Sequence, residues 1–358
     1  MEILLEIKNL RYNYMSKKLR VAINGFGRMG RIFTRLAWDN PNFEIIAINS
    51  RSQADIYAHL LKYDSVYGSW NKKVASAGNK AISIDGRKVH LDHEDETINA
   101  PWGKYDIDLV IESTGVFRNR EATQKHLDAG ARYVLISAPG KDEDKTLIYQ
   151  INHKEFDPKK HKILSAASCT TTCLAPVVKV LHDNFVIKHG NMMTTHAYTN
   201  DQTLVDHPNK NGDFRRSRAA AISIIPTETG AAKTIIKFAP DLAGKLDGMS
   251  LRVPMETVSA VYFVAELVKS TTVEEVNKKF IEAVKKKYDK LMATSDLPLV
   301  SADYKGSPFG CTIDLLSTAV VDNTQVSVLA WYDNEWGYVS QMTNLLEYIG
   351  SKVGRVSL

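Results

Sequence analysis

Short apolar runs alternate with helically spaced ones through the first part of the chain. Leu19-Arg20-Val21-Ala22-Ile23-Asn24 reads as a buried strand. Ile32, Phe33, Leu36 and Ala37 then recur at helical spacing, and Phe43-Glu44-Ile45-Ile46-Ala47-Ile48-Asn49 returns to a strand. Leu109-Val110-Ile111-Glu112 and Tyr133-Val134-Leu135-Ile136 are two more short apolar strands, again separated by helical stretches. That alternation predicts a parallel, doubly wound sheet with helices on its faces. Just before Cys169 the pattern changes. Leu174, Val177, Val178 and Leu181 predict a helix, after which Met249 to Leu267 and Thr324 to Tyr332 read as longer strands. Val261, Phe263, Ala265 and Leu267 mark one buried face and leave the other more polar, as in an antiparallel sheet covered by helices on one side. Val273, Val276, Phe280, Ile281, Val284 and Leu291 mark a further helix, with Lys285-Lys286-Lys287 mostly off its stripe, and a last helix runs from Glu335 to Lys352.

Between the first strand and the first helix stands Gly25-Phe26-Gly27-Arg28-Met29-Gly30. In a strand, tight turn and helix, the first glycine makes the turn and the second lets the backbone approach a pyrophosphate. The third allows helix and strand to pack closely. The strand Phe43 to Asn49 follows at the distance that completes a βαβ unit, which separates this from a chance spacing of glycines. The expected cofactor is a dinucleotide.

Ser168-Cys169-Thr170-Thr171-Thr172-Cys173 opens the helix carried by Leu174 to Leu181. Amides at a helix N-terminus favour the thiolate, the species that attacks a carbonyl carbon, so Cys169 is the candidate nucleophile, and Thr170 to Thr172 could cap the same turn. Cys173 falls one turn further in. A thiolate beside a dinucleotide suggests aldehyde oxidation through a thioester, and that chemistry needs a base for its protons. His182, His189, His196 and His207 all follow Cys169 closely, and spacing does not choose among them. His196 has the best local case, since it ends the strand-like Met192-Met193-Thr194-Thr195 and precedes the polar loop Tyr198-Thr199-Asn200-Asp201-Gln202.

The 358 residues suggest about two domains, and a 44% hydrophobic content supports real cores. With 46 basic and 41 acidic residues, the formal charge of +5 is too diffuse for a nucleic-acid footprint. Arg215-Arg216-Ser217-Arg218 lacks the interleaved aromatics that single-strand binding uses. No segment approaches the roughly twenty apolar residues of a membrane span. Glu2 and Glu6 interrupt any secretion-signal core, and three cysteines are too few for a disulfide framework, so a cytoplasmic enzyme is expected. No metal is expected.

Nearly the whole chain from Leu19 onward resembles the phosphorylating glyceraldehyde-3-phosphate dehydrogenases. The resemblance is carried by Val21 to Arg28, Glu112-Ser113-Thr114-Gly115, Ala167-Ser168-Cys169-Thr170-Thr171, His196 to Gln202, Ile224-Ile225-Pro226-Thr227, Thr229-Gly230-Ala231-Ala232-Lys233 and Trp331 to Tyr338. It implies a Rossmann domain at 19–168, an α+β domain with a mixed or antiparallel sheet at 169–333, and a C-terminal helix, 334–358, packing back on the first domain. Residues 1–18 would be an extension, of which 1–14 precede an ordinary start at Met15. The implied activity is reversible oxidative phosphorylation of D-glyceraldehyde 3-phosphate in glycolysis and gluconeogenesis by a homotetramer, with Cys169 as nucleophile and His196 as its partner. Thr199, Asp201 and Arg252 match the residues around the substrate phosphate. Ser168, Thr170, Thr229, Gly230 and Arg216 match those around inorganic phosphate, and these are types that bind phosphate oxygens. Asp201 is expected to orient an arginine. Gly25, Phe26, Gly27, Arg28, Met29, Gly30, Ser50, Arg51, Ser113, Thr114, Gly115, Ser137, Asn334 and Tyr338 match cofactor-binding positions, Asn334 toward the nicotinamide carboxamide.

The chain departs from the family pattern at Ala166 and Thr172, where asparagines are usual, and altered rates are expected there. It departs again at the end of the second strand. NAD-selective sites place an acid there, whereas this chain has Ser50-Arg51-Ser52, a set able to hold a 2′-phosphate. NADP or dual use is therefore expected, although His207-Pro208 keeps the proline of NAD-selective forms. The alternative activity is a non-phosphorylating relative such as an erythrose-4-phosphate dehydrogenase. A binding role without catalysis has no motif in its favour.

Overall fold

A computed structural model describes residues 18–209 and 212–354. The N-terminal extension, with the proposed start at Met15, lies outside the described residues apart from Lys18. Two large sheets carry the molecule. The first runs Lys145–Thr146, Ile163–Ser165, Tyr133–Ile136, Leu109–Glu112, Leu19–Asn24, Phe43–Asn49, Arg87–Asp92, Ala81–Ile84 and Val74–Ser76 in spatial order. Its first seven strands are parallel, and only the last two pair antiparallel. Leu109–Glu112 and Tyr133–Ile136 are buried at every position, which is why they read as unbroken apolar runs.

The second sheet, seven strands, is mixed. Its order is Ile225–Glu228, Leu246–Val253, Ile187–Ala197, Ser259–Leu267, Gln325–Tyr332, Cys311–Val321 and Met292–Ser295, with the second and third strands parallel to each other and the last two likewise. The single long strand expected from Met249 to Leu267 is two strands, Leu246–Val253 and Ser259–Leu267. Pro254 has no N–H for a ladder, and Val258 at φ +65° turns the chain between them. Helix Cys169–Phe185 packs on the inner face of this sheet, burying Leu174, Val177, Val178 and Leu181 with Val261, Phe263, Ala265 and Leu267. The helix marked by Val276 and Phe280 runs from Val273 to Ala283 and loosens into a wider turn at Val284–Tyr288 that exposes Lys285, Lys286 and Lys287. The last helix, Trp336–Lys352, leaves the second sheet and buries Tyr338, Val339, Met342, Leu345, Leu346 and Ile349 in the core of the first.

Candidate active site

The glycine turn closes under tight steric limits. Gly25 has φ +92°, and a Cβ there would lie 2.7 Å from Thr114 N. A Cβ on Gly30 would lie 2.6 Å from Gly25 O, so the helix Arg28–Ala37 can pack against the turn only through a glycine. Gly27 differs. It is exposed, is the N-cap of that helix without a side-chain cap, and among the described residues nothing beyond its chain neighbours lies within 4 Å of where a Cβ would stand. Its open face, beside uncapped helix amides, is a cradle of the kind that takes a pyrophosphate. Ser113 Oγ bonds Gly25 O at 2.7 Å, tying in the Ser113-Thr114-Gly115 loop, and Ser137 bonds Glu112 O behind it. The Phe26 side chain is buried edge-on against Tyr57, and Met29 packs against the same core. Arg28 is held by Asp64 at 2.5 Å and by Glu335 at the foot of the last helix.

At the end of the second strand, Ser50 Oγ accepts from Phe26 N at 3.2 Å and bonds Tyr57 OH. Arg51 does not stand free. Its Nε donates to Asp95 Oδ1 at 2.9 Å, from a loop that sequence reading did not connect with it. Asp92, Glu94 and Glu96 sit in the same segment, and burial raises the Asp92 carboxyl above the usual range.

Cys169 is the first residue of its helix, and its Sγ lies 3.4 Å from His196 Nε2. The cap is Ser168 and none of the three threonines: Ser168 Oγ accepts from Thr171 N at 3.1 Å, while Thr172 Oγ1 turns back to Ser168 O. Ala167, at φ +57°, bends the chain into this start, and Tyr338 OH donates to its carbonyl. Of the four candidate histidines only His196 meets the thiol. His182 pairs with Asp241, while His189 and His207 are exposed. His196 Nδ1 lies 2.7 Å from Ala197 O and 2.8 Å from Arg252 Nη1, which also reaches Ala197 O and Thr199 Oγ1. Burial and the Arg252 charge pull the imidazole down to about 3, and burial pushes the Cys169 thiol up against the opposing pull of Arg252 and Thr170. Both directions favour the uncharged forms of the pair, thiol and imidazole.

Adjacent strands set this geometry, since His196 is opposite Arg252 and Arg252 is opposite Ile225 in register. Thr199 bonds Asp201, and Asp201 Oδ2 takes Arg216 Nη1 at 3.1 Å. Although burial raises Asp201, Thr199 with Arg252 and Arg216 holds its carboxyl below the usual range. Arg216 is thereby tied through Asp201 to the Thr199 group. Thr229 and Gly230 open the short helix Ala231–Ile235, which packs beside helix Cys169–Phe185. Asn334 is buried, accepting from Ser259 Oγ. Sequence reading missed Tyr332, whose hydroxyl bonds Thr170 and Thr194 behind the thiol. It also missed Thr227 and Ser250, cross-strand neighbours whose buried hydroxyls have no partner among the described residues.

Residues 19–120 match the family description "Glyceraldehyde 3-phosphate dehydrogenase, NAD binding domain", and residues 168–334 match its C-terminal domain. Similar proteins include a glyceraldehyde-3-phosphate dehydrogenase of Geobacillus stearothermophilus, 50% identical over 93% of this chain and 99% of that protein. Glyceraldehyde-3-phosphate dehydrogenase 2 of Bacillus subtilis is 46% identical over 94% and 98%, and that of Trichormus variabilis 47% over 93% and 99%.

Proposed function

We propose that this chain, which belongs to the glyceraldehyde-3-phosphate dehydrogenase family, oxidises D-glyceraldehyde 3-phosphate to 1,3-bisphosphoglycerate reversibly through a thioester on Cys169. One observation carries the site assignment: a thiol at a helix N-terminus 3.4 Å from an imidazole nitrogen, with a guanidinium beside the imidazole's far nitrogen. For Nε2 to accept a proton, Nδ1 must carry one and donate it to Ala197 O, in which case the hydrogens of Arg252 Nη1 go to Ala197 O and Thr199 Oγ1 and none to Nδ1. His196 then takes the thiol proton as Sγ bonds to the aldehyde carbon, and passes it to the carbonyl oxygen. It takes that proton back as the carbon gives up hydride and becomes the acyl thioester. Inorganic phosphate attacks the acyl carbon, the C–S bond breaks, and sulfur leaves as thiolate. An anion drawn to Arg252 offsets the charge that depresses His196, so the base strengthens when substrate binds.

The match to an NAD binding domain supports NAD as cofactor, which when bound would supply the hydride acceptor. The open Gly27 and the uncapped helix amides fit its pyrophosphate, and Asn334, held by Ser259, is assigned to the carboxamide as part of this proposal. We propose that NADP is also used, because no acid ends the second strand and Arg51 is next to Ser50. Initial rates with both cofactors test this, and a tenfold or greater advantage of NAD in kcat/KM would refute it. The phosphate groupings, the domain limits at 19–168, 169–333 and 334–358, a homotetramer and a cytoplasmic, glycolytic setting are further parts of the proposal. Exposed Met193, Met249, Tyr262 and Leu316 on the second sheet support assembly, and light scattering tests it. Among the described residues no helix is long and apolar enough to cross a membrane.

The erythrose-4-phosphate alternative is not favoured by these relatives. Cys169→Ala should abolish oxidation while NAD still binds, and Cys173→Ala should remain active. Appreciable turnover by the Cys169 variant would end the thioester mechanism.

A further inference from the structure

The ribose end of the dinucleotide site holds a charge arrangement that the second strand alone does not reveal. Ser50 and Tyr57 share one hydrogen bond between their hydroxyls, while Ser50 Oγ also accepts from Phe26 N and Tyr57 OH accepts from Ser52 N. Two O–H protons serve that one bond, so the pair keeps one neutral donor, which suits a ribose hydroxyl and a phosphate oxygen equally. Ser50 cannot discriminate between them. The charged groups can.

Arg51 is exposed, as is Asp95, and the two are paired. Asp95 follows the strand Arg87–Asp92, which is hydrogen-bonded in the sheet beside Phe43–Asn49. Its loop is fastened to the ribose end at three points: Glu94 N donates to Asn49 Oδ1, Asn49 Nδ2 donates to Glu94 O, and His93 Nδ1 donates to Ser50 O, at 2.8, 2.8 and 2.7 Å. The neighbouring Glu96 faces Lys125 at 3.1 Å. Asp95 is therefore the carboxylate set against Arg51.

We propose that Asp95 is the specificity-determining residue for the 2′ position. It occupies the guanidinium that a 2′-phosphate would use, and it adds a like charge beside that phosphate. NADP then binds only by exchanging one ion pair for another, whereas NAD leaves the Arg51–Asp95 pair in place. The proposal rests on the dinucleotide site and on the assignment of Arg51 to its ribose end. Because both partners are exposed, Asp95 biases the choice without making it absolute.

Calorimetric titration of NAD and of NADP into the wild type, Asp95→Asn, Arg51→Leu and the double variant tests it, with initial rates measured alongside. Asp95→Asn should shift the ratio of the two dissociation constants toward NADP by about tenfold, the combined effect of a freed guanidinium and one fewer anion near a phosphate. The gain should vanish in the double variant and shrink at high salt. Asp95→Ala should act in the same direction. A ratio unchanged within about twofold in both Asp95 variants (~0.4 kcal/mol), or a gain that survives Arg51→Leu, overturns the proposal. If Arg51→Leu weakens NADP while the Asp95 variants change nothing, dual use stands and the role of Asp95 falls. Failure of the wild type to bind NAD would overturn the cofactor site itself.

Discussion

Gly27→Ala should separate binding from folding. At Gly25, alanine would be held in the left-handed region, at a cost of about 1–2 kcal/mol, and its methyl would overlap the Ser113–Thr114 peptide at 2.7 to 2.9 Å. At Gly30 the methyl would meet Gly25 O at 2.6 Å. Both substitutions must move backbone. Gly27 has φ −76°, and among the described residues its methyl would meet nothing beyond its chain neighbours within 4 Å. Alanine at an N-cap loses roughly 0.5–1 kcal/mol relative to glycine, and the lost freedom of the unfolded chain returns roughly 0.4–1 kcal/mol. The net effect on stability is close to zero. The same methyl would stand between a pyrophosphate and the helix amides, and each charge-assisted bond lost there is worth about 1.5–3 kcal/mol, or roughly tenfold to a hundredfold in affinity. Scanning calorimetry should place the Gly27→Ala melting temperature within about 4 °C of wild type, with the Gly25 and Gly30 variants melting lower. Titration should show NAD binding at least tenfold weaker in Gly27→Ala. Wild-type affinity in that variant would remove Gly27 from the pyrophosphate site, and a collapsed melting temperature would make it a structural glycine.

His196→Asn should slow turnover by roughly a hundredfold or more, as loss of a general base does, while leaving NAD binding intact; a smaller loss would point to another base. Thr199→Ala should raise mainly the KM for aldehyde, Thr229→Ala mainly that for inorganic phosphate, and Arg252→Leu both. Equal shifts of both constants in the two threonine variants would refute the two-site grouping. Folded His153, lowered to about 4 by burial and by Lys154 and Lys352, stays neutral where the unfolded chain protonates near 6.5. Between those values the unfolded state binds more protons, so stability falls as pH drops. His153→Asn should flatten the drop in urea midpoint between pH 7 and 5, and an unchanged drop would exclude its contribution.

Four of the seven parallel strands, Leu19–Asn24, Phe43–Asn49, Leu109–Glu112 and Tyr133–Ile136, were legible to the residue, because burial on both faces makes these runs mostly apolar. Strand direction in the second sheet was not legible. Periodicity marks which face of a strand is buried and says nothing about its neighbour, so the parallel pairing of Ile187–Ala197 with Leu246–Val253 had no local signal. Pro254 did signal the break between Leu246–Val253 and Ser259–Leu267, and it was overlooked. In the site, local context singled out Cys169 and His196, which the fold brings to 3.4 Å, whereas Arg51–Asp95 joins residues 44 positions apart. Glu112 looked like the end of an apolar strand. It is a buried carboxylate met by Asn24, Thr114 and His126, and Trp102 donates to the far nitrogen of that histidine. Tyr332 could have been flagged, since a tyrosine at the buried end of a strand needs a partner for its hydroxyl.

The position of Cys169 follows from where the two sheets meet. The strand Ile163–Ser165 belongs to the parallel sheet and ends on the same edge as Leu19–Asn24, whose next residue is Gly25. Ligands of such sheets gather beyond the carboxyl ends of the strands. Only Ala166, Ala167 and Ser168 separate that strand from a helix lying on the other sheet, so the first turn of the helix is delivered to the dinucleotide edge. The imidazole of His196 comes from the other direction, at the end of Ile187–Ala197, and thiol and imidazole meet because helix and strand pack together. The last helix spans both parts. Glu335 at its foot holds Arg28 in the glycine turn, and Tyr338 one turn on holds Ala167 beside the nucleophile. A shift of that helix would therefore disturb the cofactor turn and the thiol together, which makes the contacts of Glu335 and Tyr338 the physical link between binding and chemistry.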